Sequence, residues 1–303
     1  MIFLGERFLS KMNIEKIIRE ELNLPVSDDL SIYKDLQNRK YYAPKIAEIV
    51  NNHVPKINHP YDQNILNEIK KTGYAVVENF LSQDEVNEII KFTENIKGYQ
   101  FHVPNRAFND KPEFFSDDLD WNICSYKMNH LLKNHFILKM ITRPDIVALA
   151  QEYLGCLPTL TSVSMWWNKF TGNDFHTQKI HRDYDDFRFL AFFIYLSDVD
   201  DDNGPHVYYK NTHNGSEDIS EKVVIRGKAG TAIFGDTYAY HHGQPLNSGK
   251  RLLFWSRYTM HRNNNFYRDK DTEYVLEPNM FFDVIDDSEI NRHLLSAFTV
   301  SKD

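Results

Sequence analysis

The sequence predicts a mainly β protein with flanking helices (α+β), whose core is an all-β barrel or a double-sheet sandwich. Residues 160–259 contain a series of runs with strand composition, separated by Gly, Asn and Asp turns at the spacing typical of such folds. The first third of the chain instead has apolar residues at helical spacing. No helical pattern alternates with the β-rich runs, which argues against a parallel, doubly wound sheet. We therefore expect a β domain wrapped by N-terminal helices.

Four segments combine an apolar face at helical spacing with a capping or terminating residue: residues 13–25, 64–72, 82–98 and 144–155. In the first of them Asn13 is the expected cap and Pro25 the expected stop. Ser82 and Glu85 form a capping box at the start of the third, and Pro144 stands at the first position of the fourth.

For three further stretches of the first half of the chain, the composition gives the only indication of structure. Residues 74–81 (YAVVENFL) have strand composition. Residues 26–60 are unclear, because they are charged, rich in Tyr and interrupted by three prolines. Residues 99–125 show no sustained period, and a long stretch of this kind is often a functional flap. We expect it to cover a site, with an ordinary surface loop as an equal alternative.

The composition restricts the classes of function. The formal net charge of −8 argues against a non-specific binder of nucleic acid or of anionic membranes, because both need a positive field. Two cysteines in no paired motif argue against a disulfide framework and indicate a reducing compartment. No stretch approaches the roughly 20 apolar residues of a membrane span. We expect a cytoplasmic protein that acts on a small molecule.

The most hydrophobic strand, FRFLAFFIYL, follows directly on the polar residues His181 and Asp183. On an extended chain, residues i and i+2 project to the same side, so an imidazole and a carboxylate can point to one place. Two of the three positions of a 2-His-1-carboxylate metal site would then be filled. A surface histidine beside an acidic turn gives the same pattern and is the alternative.

Residues 230–259 contain further groups that suit such a site. A buried strand and a polar turn lead to the pair His241 and His242, and the next strand opens with Arg251. A second imidazole would complete the three protein ligands, and an arginine offers a planar, permanently charged fork for a carboxylate. Only one of the two adjacent histidines can face the metal if the chain is extended there.

Taken together, HRDYDDFRFL, DVDDDNGPHVYYKNTH, GTAIFGDTY, HHG and SGKRLL resemble the phytanoyl-CoA dioxygenase family of Fe(II)- and 2-oxoglutarate-dependent oxygenases. Residues 73–86 (GYAVVENFLSQDEV) resemble the opening strand and helix of that family. The resemblance implies a double-stranded β-helix (jelly-roll) core with N-terminal helical segments. It divides the chain into an N-terminal helical extension, residues 1–72, and a dioxygenase domain, residues 73–303.

The resemblance also implies roles for individual residues. His181, Asp183 and His241 would be the catalytic iron ligands, with His241 chosen because it falls on the family's histidine position after DTY. Arg251 would pair with the distal carboxylate of 2-oxoglutarate. Asn168 stands where some relatives contact the keto-acid end of the cosubstrate, although a solvent-facing Asn is an equal alternative.

Four other residues of the β-rich region have expected roles near the site or in the fold. Arg257 shares strand parity with Arg251 and is a fallback anchor, although a buried ion pair is its expected role. His206 is expected to face a neighbouring strand. Phe193 or Tyr195 is expected to line the cosubstrate pocket, as an aromatic residue does in relatives.

The implied function is hydroxylation of an unactivated C–H bond of a small metabolite, with Fe(II), 2-oxoglutarate and dioxygen. The presence of Asp183 favours hydroxylation over halogenation, because halogenating relatives have a small residue there. Desaturation or cyclisation by the same site stays open. So does a non-catalytic β-sandwich binding protein in which the histidine motifs are surface groups. A cupin-type enzyme is disfavoured, because the sequence contains no HxH pair.

Overall fold

The computed structural model describes residues 14–24, 31–102, 107–108, 111–170, 178–261 and 279–299. The expected cap Asn13 and the expected stop Pro25 lie outside these residues. The helices are α1 Ile14–Leu22, α2 Ser31–Lys34, α3 Leu36–His53, α4 Gln63–Thr72, α5 Gln83–Glu94, α6 Met128–Leu132, α7 His135–Ile141, α8 Pro144–Leu154, α9 Asn279–Phe282, α10 Glu289–Leu294 and α11 Ser296–Thr299. None of these helices has the length and apolar composition needed to cross a membrane.

The strands form two antiparallel sheets. They are β1 Tyr74–Val77, β2 Tyr99–His102, β3 Ala107–Phe108, β4 Ile123–Tyr126, β5 Thr159–Lys169, β6 Phe189–Tyr195, β7 His206–Tyr209, β8 Lys222–Ile225, β9 Ala232–Gly235, β10 His241–Gly243 and β11 Lys250–Thr259. The large sheet has the order β1-β9-β6-β11-β5-β4-β2-β3, and the small sheet has the order β10-β7-β8. The predicted mainly β fold with flanking helices is confirmed.

β6 is buried on both faces because it lies in the middle of the large sheet. Its residues Leu190, Phe192 and Ile194 pack in a cluster with the helices. Phe193 and Tyr195 point the other way, into a second cluster shared with β7 and β8 of the small sheet. Each such side chain stabilises the fold by roughly 1.5–3 kcal/mol. We call the side of the large sheet that faces the small sheet the inner face.

The unclear region 26–60 contains an 18-residue helix, α3, with Pro44 inside it. The sequence did not predict this helix, because an interior proline removes a hydrogen bond and costs about 3 kcal/mol. Two features offset that loss. Asp35 caps the helix by accepting hydrogen bonds from two backbone N–H groups, and Ile46 and Val50 are completely buried.

The expectation that residues 99–125 lack regular structure is wrong in part. β2 pairs with β4, β4 pairs with β5, and the large sheet is thereby extended. The helix that begins after Ser82 also ends earlier than expected, at Glu94. Gly98 does not end this helix: it forms a β-bridge with Glu113, and a Cβ there would clash with the Cys124 sulfur. The proposed flap role stays a prediction.

The buried carboxylate of Asp186 connects three parts of the chain. It accepts hydrogen bonds from the backbone N–H groups of Met260 (2.7 Å) and His261 (3.2 Å). Its other oxygen lies 2.8 Å from Nδ1 of His261, and the other ring nitrogen lies 3.5 Å from the hydroxyl of Tyr33. The segment that carries His181 and Asp183 is thereby fixed to the end of β11 and to the N-terminal helices.

Arg39 of α3 makes a second connection from the N-terminal region. Its guanidinium donates a hydrogen bond of 2.5 Å to the carbonyl of Asp186 and lies 3.7 Å from the ring centre of Tyr238. Tyr238 stands three residues before His241 in the chain. The N-terminal helices therefore contact both segments that carry the predicted ligands. The boundary between an extension and a dioxygenase domain at residues 72 and 73 stays a prediction.

The His261–Asp186 pair predicts a pH-dependent stability. Burial alone would lower the pKa of His261, but Asp186, and after it Glu15, raises the pKa from 6.5 to about 9. The protonated form therefore stabilises the fold. This contribution is complete below pH 6.5 and is lost as the pH rises through 9. A shift of this size corresponds to on the order of 3 kcal/mol.

We expect His261→Gln to lower the free energy of unfolding at pH 6 and to have little effect above pH 9, as measured by urea denaturation. His135→Gln, which changes an exposed histidine, is the control and should leave the pH profile unaltered. A deficit of the His261 variant that stays constant from pH 6 to pH 9 would contradict the ion pair.

Candidate metal centre

A backbone contact brings the two predicted histidine ligands together. His181 and His241, the first residue of β10, form an isolated antiparallel bridge. Each donates its backbone N–H to the carbonyl of the other, at 3.1 and 3.0 Å. Opposing residues of an antiparallel pair project to the same side, and the two ring centres lie 4.3 Å apart.

The side chains of His181, Asp183 and His241 converge on one point. Their candidate ligand atoms all lie within 4.8 Å of one another, and they form the one such group among the described residues. The carboxylate oxygens of Asp183 are 3.7 Å from Nε2 of each histidine. Ligands bonded to a metal at about 2.1 Å lie about 3 Å apart. The side chains would therefore move inward on binding a metal ion.

Both imidazoles are held in an orientation that suits metal binding. Nδ1 of His181 is 2.7 Å from the carbonyl of Lys179, and Nδ1 of His241 is 2.9 Å from the carbonyl of Ala239. An Nδ1–H that donates to a carbonyl leaves Nε2 with its lone pair free, on the side of Asp183. Burial, and then the neighbouring His181, lower the pKa of His241 to about 4. At neutral pH its imidazole is uncharged and can act as a ligand.

Arg257 of β11 holds the carboxylate of Asp183. Its Nη2 donates a hydrogen bond of 2.7 Å to Asp183 Oδ2, and its Nη1 pairs with Asp185. Burial would raise the pKa of Asp183, but the charge of Arg257, followed by those of His241 and His181, keeps it well below its ordinary value. Asp183 therefore stays ionised and fixed in direction. The predicted buried ion pair of Arg257 is confirmed, and its partner is the predicted ligand.

Arg251 and Asn168 meet at the other end of the inner face. They are opposite each other in the pairing of β11 with β5, and Nη2 of Arg251 donates a hydrogen bond of 2.8 Å to Oδ1 of Asn168. Nη1 of Arg251 donates to the carbonyl of Gly204. Both side chains are buried, so the alternative of a solvent-facing Asn168 is wrong.

Among the described residues no carboxylate forms an ion pair with Arg251, and its Nε has no hydrogen-bond partner. Burial lowers the pKa of this guanidinium. A buried charge without a counter-charge is costly, so the surroundings of Arg251 fit an anion. Gly243, two residues after His241, lies beside it: a Cβ there would be 3.6 Å from Nη2 of Arg251.

The structure separates the adjacent histidines as an extended chain requires. The ring of His241 faces Asp183. The ring of His242 instead lies roughly parallel to that of Tyr209, with the ring centres 6.2 Å apart. Phe193 lies on the inner face, where its ring contacts those of Trp255 and His206.

Three polar residues near the site were not singled out from the sequence as part of it. Asp185 shares the parity of Asp183 and could have been found from it. The hydroxyl of Thr237 accepts a hydrogen bond of 3.4 Å from Nη2 of Arg257. The backbone carbonyl of Thr237 accepts a hydrogen bond of 2.8 Å from the backbone N–H of Asp183. Tyr208 is completely buried and its hydroxyl has no partner among the described residues. Strand alternation places Tyr208 on a face, but it does not show that this face adjoins His241.

Comparisons with known proteins agree with this architecture. A family model described as phytanoyl-CoA dioxygenase (PhyH) matches residues 69–265. The fold is similar to that of EctD from S. alaskensis with bound Fe, at 17% identity and a TM-score of 0.50, covering 68% of this chain and 79% of that chain. The search of curated proteins gives no match.

Two further solved structures are also similar to this chain. The non-heme alpha ketoglutarate dependent epimerase SnoN from nogalamycin biosynthesis has 16% identity and a TM-score of 0.49, covering 65% of this chain and 82% of that chain. HygX from Streptomyces hygroscopicus, with nickel and 2-oxoglutarate bound, has 13% identity and a TM-score of 0.48, covering 66% and 87%.

The contacts of Arg257 predict that it controls metal affinity. We expect Arg257→Met to weaken binding of Mn(II) by about 10–100-fold, because groups that orient a metal ligand have effects of this size. The measurement is a titration of metal-free protein followed by electron paramagnetic resonance. Arg226→Met is the control, since Arg226 forms an exposed ion pair with Asp201. Tighter binding by the Arg257 variant would mean that its positive charge only repels the metal.

Proposed function

The chain belongs to the phytanoyl-CoA dioxygenase family, and we propose that it is an oxygenase that uses Fe(II) and 2-oxoglutarate to hydroxylate an unactivated C–H bond of a small metabolite. The observation that carries the proposal is the convergence of His181, Asp183 and His241, whose ligand atoms all lie within 4.8 Å of one another. The desaturation and cyclisation alternatives use the same residues.

The donor set fits Fe(II). Two imidazoles and one carboxylate are the ligands of non-heme Fe(II) oxygenases, and they leave coordination positions open for other ligands. Ca²⁺ and Mg²⁺ instead prefer sites made of oxygen atoms. In our proposal His181, Asp183 and His241 hold the iron, and Arg257 holds Asp183 in place.

The surroundings of Arg251 fit a dicarboxylate. A planar guanidinium fork can bind a carboxylate through two parallel hydrogen bonds, and Arg251 is buried without an anionic partner among the described residues. We propose that it binds the distal carboxylate of 2-oxoglutarate. Oδ1 of Asn168 already accepts hydrogen bonds from Arg251 and from Nε1 of Trp166, both at 2.8 Å. We therefore propose that Asn168 acts on the cosubstrate by orienting Arg251.

When bound, Fe(II) and 2-oxoglutarate supply the oxidising chemistry, in which dioxygen is activated as the cosubstrate is converted to succinate and carbon dioxide. The protein contributes position and environment. His241 lies on β10, and His181 is paired to it through a backbone bridge. Asp183 stays ionised beside Arg257, and His241 stays neutral. Phe193 and Trp255 give the inner face an apolar wall between its two arginines, which limits access of water.

The negative net charge and the apolar inner face support a small molecule as substrate. A polynucleotide would need a positive surface, and the formal net charge of this chain is −8. A cytoplasmic location remains our expectation from the composition. Both cysteines, Cys124 and Cys156, are buried free thiols, which is in keeping with a reducing compartment.

The proposal is tested by adding Fe(II) and then 2-oxoglutarate to metal-free protein without oxygen. We expect a visible charge-transfer band that appears only when both are present. Asp183→Ala should weaken metal binding at least about tenfold, because the carboxylate ligand is lost. Asp201→Ala, in an exposed turn, should behave like the wild type.

Arg251→Met separates the two binding steps. We expect it to bind Fe(II) normally but 2-oxoglutarate about tenfold or more weakly, because hydrogen bonds to a charged group are lost. A non-catalytic binding protein predicts no band in the wild type and no effect of either substitution. That result would overturn the proposal.

A further inference from the structure

We propose that His206 is part of the cosubstrate pocket, where Nε2 of its imidazole contacts the dicarboxylate between the metal centre and Arg251. This inference rests on the proposed function. Nothing in the sequence motifs assigns a role of this kind to His206.

The first observation is an unsatisfied buried nitrogen. His206 opens β7 and is 6% exposed, and its Nε2 is buried without a hydrogen-bond partner among the described residues. Its backbone N–H is satisfied, because it donates to the hydroxyl of Tyr195 at 2.9 Å. An unpaired buried polar group destabilises the fold. A ligand that pairs with Nε2 would remove that destabilisation.

The second observation is the register of the small sheet. His241 lies opposite Tyr208, and Gly243 lies opposite His206. Opposing side chains share a face of the sheet, so His206 lies on the same face as His241. The two rings are nearly parallel, with an interplanar angle of 8° and centres 5.6 Å apart. His206 is therefore the neighbour of a proposed metal ligand.

The third observation places Arg251 close to His206. Nη1 of Arg251 donates to the carbonyl of Gly204, two residues before His206 in the chain. The missing side chain of Gly243, opposite His206, would lie 3.6 Å from Nη2 of Arg251. Residues i and i+2 of a strand are roughly 6.6 Å apart. This is the spacing along β10 between His241, the proposed metal ligand, and Gly243, the residue beside Arg251.

In the proposal the cosubstrate lies between these residues. Gly243 has no side chain to occupy this region. A Cβ at Gly243 would meet only Arg251, at ordinary contact distances. Arg251 supplies the charge for one carboxylate, and His206 supplies a polar ring atom beside the path to His241. A five-carbon dicarboxylate is an extended chain with oxygens at both ends, and it would lie along this path.

His206 is a contact to the cosubstrate in this proposal and not a fourth metal ligand. The group of ligand atoms that converge within 4.8 Å contains His181, Asp183 and His241 and does not contain His206. The proposal therefore separates two affinities: the affinity for the metal is independent of His206, and the affinity for 2-oxoglutarate depends on it.

We expect His206→Leu to bind Mn(II) as the wild type does and to bind 2-oxoglutarate about tenfold or more weakly, because one hydrogen bond to a charged group is lost. The 2-oxoglutarate affinity is measured from the charge-transfer band at saturating Fe(II). His206→Gln keeps a polar side chain and should recover part of the affinity. His213→Leu is the control, because its ring lies near the carbonyl of Lys70, before β1.

The outcomes of these titrations distinguish a failure of the proposed function from a failure of the proposed role of His206. A wild-type protein that gives no 2-oxoglutarate-dependent band would overturn the proposed function. A wild-type protein that binds 2-oxoglutarate, with His206→Leu binding it equally well, would overturn only the role of His206. Parallel losses of Mn(II) and 2-oxoglutarate affinity would also overturn it, because they would place His206 at the metal.

A measurement without any substitution covers the case in which His206→Leu does not fold. In Zn(II)-loaded protein labelled with ¹⁵N-histidine, addition of 2-oxoglutarate should shift the Nε2 resonance of His206. The resonances of His213 should stay in place. An unchanged His206 resonance in protein that has bound 2-oxoglutarate would contradict the proposal.

Discussion

The arrangement of the site depends on the ion pair between Arg257 and Asp183. Arg257 lies on β11, which is paired on both sides in the middle of the large sheet, so a rigid strand fixes the direction of the carboxylate. The same strand carries Arg251 six residues earlier, on the same inner face. One strand thereby holds a proposed metal ligand near one end and the proposed carboxylate-binding fork near the other. The distance between the two functions is set by the geometry of a single strand.

The second requirement is that each donor has the charge state that a divalent ion needs. Arg257 keeps Asp183 ionised, although burial works against it. Burial keeps His241 neutral, and backbone carbonyls direct the free Nε2 atoms towards Asp183. The apolar residues that follow His181 and Asp183 in the sequence serve this purpose. They form the core strand that holds the polar groups in place and excludes water.

Much of this could be predicted from the sequence, because it is encoded in local patterns. The spacing of His181 and Asp183 depends only on an extended chain, and the runs of strand composition became β5 to β9 and β11. Other features depend on tertiary contacts. α3 was missed because burial of its apolar face outweighs the effect of Pro44. The unsatisfied Nε2 of His206 was not predictable, because it requires knowing which strand lies opposite β7.

In our proposal His181, Asp183 and His241 hold one iron ion. Anomalous diffraction at the iron edge, from crystals grown with Fe(II) in the absence of oxygen, would locate that ion. We predict one strong peak, bonded to Nε2 of both histidines and to a carboxylate oxygen of Asp183, with Arg257 still paired to that carboxylate. A fully occupied iron elsewhere in the chain, with Asp183 bound only to Arg257, would contradict this proposal.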